Sequence, residues 1–109
     1  MALDPIQLAT TMLSAALGVL KKKTPEIQQY AETEFKKIAE TIATIAKMVA
    51  AGQMGEEEAK LHLQIQASAS RAVLLCVEGL GLLAAEAAIN AALASVKDLV
   101  NAALPFKLL

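Results

Sequence analysis

The segment from Ala72 to Leu93 most constrains how this chain can fold, because it is apolar on nearly every side and contains no lysine or arginine. A helix that is apolar all round must be enclosed by protein or by lipid. Glu78, Glu86 and Asn90 lie inside the segment, and polar groups at its middle favour enclosure by protein. The segment therefore predicts a helix that is covered on most sides by other helices.

The composition is typical of one helical domain. Hydrophobic residues make up 56% of the chain, and many of them are alanines, which let neighbouring helices approach closely. A length of 109 residues is too short for two cores, so we expect a single helical domain over residues 1–109. The net charge of −1 gives no basic surface for nucleic acid. Cys76 has no second cysteine to pair with, and we expect it to be a small buried side chain.

Capping signals predict the first two helices. Asp4 suits the N-cap and Pro5 the first position of one helix, and Thr24 with Pro25 repeats the pattern for the next. Apolar residues of the second helix alternate steps of three and four, as in a coiled coil, and predict one buried seam. The seam residues are Ala31, Phe35, Ile38, Ile42, Ile45 and Val49. Glycines at both ends of residues 52–55 predict a turn there.

A third helix begins at Glu56, and no proline follows before Pro105. A continuous helix of that length would extend for about 70 Å, against about 40 Å for the second helix. The only interruption is Gly79-Leu80-Gly81, which lacks polar loop residues, and a glycine within a helix costs only about 1 kcal/mol relative to alanine. We therefore predict an all-α bundle of three helices with a very long third helix, in which helices two and three form an antiparallel hairpin. Four helices, broken at Gly79–Gly81, are the alternative.

The distal half of this long helix is the predicted association site. At about 100° per residue, Glu86, Asn90 and Lys97 share one narrow polar stripe with Asn101, and most other directions are apolar. We expect the apolar side chains to bury against a second copy, while Glu86, Asn90 and Lys97 set the register of pairing. The predicted oligomer interface consists of Leu83, Ile89, Leu93, Val96 and Val100.

These features predict a non-enzymatic structural or interaction protein that forms a homo-oligomer, with other protein subunits as further candidate partners. We expect no catalytic, cofactor-binding or metal-binding residues, because phosphate-binding glycine loops, Ser-His-Asp sets and zinc-type cysteine pairs are absent from the sequence. Glu58 and His62, on one helix face, supply at most half of a metal site. The expected location is the cytoplasm or a phage-like particle.

Two other functions stay open. Residues 72–96 are long enough to cross about 30 Å of hydrocarbon, so the alternative is a small membrane-associated protein that inserts them. Against it, Glu78 and Glu86 would each cost about 2.5–3.5 kcal/mol at the bilayer centre, and no aromatic belt flanks the segment. The third function is a helical bundle that binds an apolar ligand between its helices.

Overall fold

Four helices make up the fold. The computed structural model describes residues 3–109, so the first two residues of the predicted domain lie outside the described residues. The helices are α1 (Pro5–Val19), α2 (Pro25–Ala50), α3 (Glu56–Leu75) and α4 (Leu82–Ala102). Residues 3–109 contain no strand, and the all-α prediction is confirmed.

The predicted caps begin α1 and α2. Asp4 Oδ1 accepts a hydrogen bond from the backbone N–H of Ile6 at 3.0 Å. Thr24 Oγ1 accepts one from the backbone N–H of Ile27 at 3.2 Å. Each bond satisfies a backbone donor that has no partner within its own helix.

The turn between α2 and α3 is set by Gly52, whose φ of +73° suits glycine. The N–H of Gly52 donates to the Val49 carbonyl at 3.0 Å, and the N–H of Gln53 donates to the Met48 carbonyl at 2.8 Å. This pair of bonds forms a Schellman motif, which ends α2 and satisfies its last carbonyls. The chain then returns, and α3 packs against α2 as the predicted hairpin.

The predicted very long third helix is wrong, and the four-helix alternative is confirmed. α3 ends at Leu75, and the chain turns through residues 76–81, where Gly79 has a φ of +87°. The turn needs no polar side chains because Val77 and Leu80 are buried in the core. The N–H of Leu80 donates to the Val77 carbonyl at 3.2 Å. Burial of these two side chains offsets the helical hydrogen bonds that the break removes.

One hydrophobic core joins all four helices. α1 packs against both α2 and α4, whereas α3 packs mainly against α2 and touches α4 less extensively. The predicted seam of α2 lies in this core, with Val49 half-buried at its end. The molecule measures 42 × 21 × 17 Å, and its long axis matches the length of α2.

Asn101 ties the segment after α4 back to the helix. Its side-chain oxygen accepts hydrogen bonds from the N–H groups of Leu108 and Leu109 at 2.9 and 3.0 Å. Its amide nitrogen donates to the backbone oxygen of Leu109 at 3.1 Å. Leu104 and Leu108 are buried, so residues 103–109 extend the core.

Candidate association surface

Most of the predicted oligomer interface on α4 faces the chain's own core. Ile89, Val96 and Val100 are buried, and Leu93 is half-buried against the same cluster. They face inward because α4 packs mainly on α1. Leu83 is 82% exposed. Leu83 is therefore the predicted interface residue that a second molecule can reach without opening the bundle.

The predicted register-setting residues lie toward the outer side of α4. Asn90 and Lys97 are exposed, and Glu86 is half-buried. Leu83, Asn90 and Lys97 follow one another at intervals of seven residues, so they share one face of the helix. The structure therefore places Leu83, Asn90 and Lys97 together and leaves Glu86 at the edge of their face.

α3 has apolar residues on two opposite sides. The buried side, toward the core, carries Ala59, Leu63, Ala67 and Leu74. The exposed side carries Leu61, Ile65, Ala69, Ala72 and Cys76, which we call the α3 stripe. With the buried Ser70 between Ala67 and Leu74, both series advance by three or four residues. At about 100° per residue, the two series lie roughly 200° apart. Leu61 and Ile65 are 55% and 60% exposed, so α3 presents an apolar face to its surroundings.

Exposed apolar side chains continue at the turn after α3. Leu75 ends α3, and Leu82 and Leu83 begin α4. Of the nine large apolar side chains exposed in residues 3–109, five lie on α3 or in the first turn of α4. We call Leu61, Ile65, Leu75, Leu82 and Leu83 the apolar surface. By contrast, Tyr30 is the one such residue on the longer helix α2.

Opposite charges stand at the two ends of α3. Its first turn is acidic, and Glu58 falls on the same side as the α3 stripe. At the other end, Lys22 from the loop after α1 lies beside Gly79. A Cβ built on Gly79 would be 2.9 Å from Lys22 Nζ. The exposed Glu78 lies next to Gly79, but Lys21 and Lys23 flank Lys22 in the chain and are exposed as well, so lysines outnumber the acid at this end. α3 therefore runs for about 30 Å from an acidic end to an end of net positive charge.

Leu61 and Ile65 were not part of the predicted interface. The signal that identifies them is the second apolar series on α3, which a search for one buried face per helix passes over. A helix of a water-facing bundle normally keeps that second side polar. The α3 stripe departs from this pattern.

The predicted burial of Cys76 is wrong, because Cys76 is exposed. α3 ends one residue earlier, so the thiol lies at the turn and donates to the Ala72 carbonyl at 3.4 Å. His62 is exposed as well. Within residues 3–109, no three side chains of His, Cys, Asp or Glu gather as metal ligands would.

Buried polar groups lie where α2 meets α3. Glu34 is 2% exposed and accepts a hydrogen bond from Lys37 Nζ at 3.1 Å. On α3, Gln66 Nε2 donates to the buried Ser70 Oγ at 3.1 Å. Lys37 and Gln66 line one groove, which His62 also borders. These bonds satisfy polar groups that burial would otherwise leave unpaired, which is a structural role.

A groove of about 310 Å³ between α1 and α2 bears on the predicted ligand site. Its apolar part comes from α1 and includes Ile6, Ala9 and Leu13. Its charged part comes from α2 and includes Glu32 and Lys36. A small amphipathic molecule would fit such a lining.

The segment of residues 72–96 does not form one helix. It includes the end of α3, the turn and most of α4. In the described part of the chain, no helix is both long enough and apolar enough to cross a membrane.

Compared with family models, with curated proteins and with solved structures, the chain matches none of them.

Proposed function

We propose that this chain is a non-enzymatic structural protein that self-associates through the apolar surface on α3 and the first turn of α4. The observation that carries the proposal is the exposure of Leu61, Ile65, Leu75, Leu82 and Leu83 beside a core that is otherwise well covered. Leu61 and Ile65 are neighbours on one face of α3, and Leu75, Leu82 and Leu83 lie close together in the chain at the next turn. Exposed apolar side chains that adjoin one another are typical of contact sites. Full burial of each such side chain contributes about 1.5–3 kcal/mol.

A second copy of the chain suits this surface. The α3 stripe mixes large side chains with Ala69, Ala72 and Cys76, and small residues let another helix approach closely. On α4, Asn90 and Lys97 follow Leu83 along one exposed face, where they would restrict the register of pairing. Further protein subunits, and a location in the cytoplasm or in a phage-like particle, remain predictions.

Light scattering during size exclusion, on protein prepared without detergent, tests the proposal. We expect a discrete species at twice the 11.4 kDa chain mass or at a higher whole-number multiple of it. A monomer at every concentration would contradict self-association. Aggregates that disperse only with detergent or lipid would favour the membrane-associated alternative instead.

A matched pair of variants locates the contact. Ile65→Asp places a charge on the apolar surface, and we expect the variant to dissociate at concentrations where the wild type remains an oligomer. Ile6→Asp is the control, because Ile6 is 76% exposed but lies at the start of α1, outside the apolar surface. Equal masses for the two variants would place the contact elsewhere.

The groove between α1 and α2 supports a second candidate function, binding of an apolar ligand. Ile6 and Leu13 supply apolar contact there, and Glu32, Lys36 and Glu40 from α2 supply its charged side. Titration with an uncharged fluorescent apolar probe tests this function. Loss of binding in Ile6→Asp but not in Ile65→Asp would support it, and equal binding by both variants would exclude this groove.

A further inference from the structure

We infer that two copies of the chain pair through the α3 stripe, antiparallel, about a two-fold axis that passes between Ser68 and Ala69. The inference rests on the proposed self-association and specifies the geometry of that contact. It follows from two properties of α3, which are the order of side-chain sizes along the stripe and the order of charges along the helix.

Side-chain size favours the antiparallel orientation. Along the α3 stripe, the large Leu61 and Ile65 come first and the small Ala72 and Cys76 come last. About an axis between residues 68 and 69, Leu61 faces Cys76 of the second copy and Ile65 faces Ala72 of the second copy. Large side chains then fill the space beside small ones, as close packing requires. Parallel pairing would set large against large at one end and small against small at the other.

Charge favours the same orientation. Glu58 lies at the acidic end of the α3 stripe. At the other end, Lys22 lies beside Gly79, and the exposed lysines 21–23 outnumber the one exposed acid there, Glu78. Antiparallel pairing brings Glu58 of each copy toward Lys22 of the other, so the two-fold axis generates two attractive contacts. Parallel pairing would face glutamate with glutamate and lysine with lysine.

The same geometry explains why a second copy of the chain is the molecule that binds the α3 stripe. A two-fold interface uses one patch on both molecules, so the patch must be complementary to itself. The α3 stripe meets this condition in both size and charge. Because the stripe extends for only about 22 Å, we expect a reversible dimer at the small end of specific interfaces.

Charge reversal tests the orientation by sedimentation equilibrium. Glu58→Lys or Lys22→Glu alone should raise the dimer Kd about threefold to tenfold, because each change creates two repulsive contacts. The double variant Glu58→Lys/Lys22→Glu should restore the wild-type Kd. Glu57→Lys is the control, because Glu57 lies off the α3 stripe and should leave the Kd within about twofold.

The outcomes separate this inference from the proposed function. If the dimer Kd is unchanged by Glu58→Lys and Lys22→Glu, or if the double variant does not restore it, the antiparallel geometry is overturned while self-association stands. A wild type that stays monomeric would overturn both.

Disulfide cross-linking gives a second readout. The two Cys76 side chains would lie about 22 Å apart along the antiparallel pair, far beyond the reach of a disulfide. Mild oxidation should therefore leave the wild type uncross-linked and should link Ala69→Cys, made in a Cys76→Ser background, into a covalent dimer. Rapid cross-linking through Cys76 would indicate parallel pairing and would contradict the inference.

Discussion

Lys22 lies against Gly79, and this contact joins the loop after α1 to the turn between α3 and α4. Gly79 takes a positive φ there, and the long apolar segment breaks into two helices. The break lets α4 bury its inner face on α1 of the same chain. As a result, the apolar residues left for a second molecule lie mainly on α3 and at the turn.

The conformation of Gly79 predicts different costs for two glycine substitutions. Gly79→Ala should lower the free energy of unfolding by about 1–2 kcal/mol, because alanine disfavours a positive φ. Gly81→Ala is the matched control: its φ is −82° and open space surrounds it, so we expect a loss of about 0.5 kcal/mol at most. Urea denaturation at one fixed protein concentration measures both values. Equal losses would mean that the positive φ is not what the turn requires.

The three hydrogen bonds of Asn101 predict how firmly the end of the described chain is held. Asn101→Ala should destabilise the protein by about 1–3 kcal/mol and should speed tryptic cleavage after Lys107. Asn101→Asp keeps the acceptor but loses the donor, so its effect should be intermediate. Asn90→Ala on the exposed side of α4 is the control. Cleavage at the wild-type rate in Asn101→Ala would show that Leu104 and Leu108 alone hold the segment.

Because Glu34 is buried, removal of Lys37 alone should destabilise the protein more than removal of both members of their ion pair. Lys37→Met leaves a buried carboxylate without its partner and should cost about 1–2 kcal/mol in the free energy of unfolding. The exposed neighbour serves as control, and Lys36→Met should change stability by no more than about 0.5 kcal/mol. The double variant Glu34→Met/Lys37→Met should regain most of the loss, because it removes the buried charge as well. A double variant that is less stable than Lys37→Met alone would contradict this prediction, because it would mean that the buried carboxylate stabilises the fold even without Lys37.

Exposure of Cys76 predicts a concentration-dependent thiol reactivity. In the monomer, Cys76 should react rapidly with a chromogenic disulfide reagent, because its side chain is exposed. In the antiparallel dimer, Leu61 of the second copy would cover it, so the rate should fall as protein concentration rises. The variant Ile65→Asp should react at the fast rate throughout. A wild-type rate that is independent of concentration would argue against a contact at the α3 stripe.

Local signals predicted much of the fold. Asp4 and Thr24 cap their helices as expected, and the heptad pattern from Ala31 to Ile45 became the core seam of α2. Such features depend on residues close together in the chain, so the sequence predicts them without knowledge of the tertiary structure.

The break at Gly79 was the alternative rather than the main prediction, for a physical reason. Its turn contains Val77 and Leu80, which look like helix residues and are buried because the turn closes the end of the core. Only the three-dimensional packing shows that burial. The same difficulty affects the predicted interface. Ile89 and Val96 were expected to be covered by a second copy, and a face covered by α1 of the same chain has the same apolar pattern.

Sedimentation equilibrium of the wild type and Ile65→Asp, over a wide concentration range, tests the central claim most directly. Ile65 is 60% exposed in the single chain, so aspartate there should leave the helical circular dichroism unchanged. We expect the wild type to approach twice the 11.4 kDa chain mass as concentration rises, and Ile65→Asp to stay at 11.4 kDa. A wild type that remains at the single-chain mass, or an Ile65→Asp that associates as the wild type does, would contradict the account.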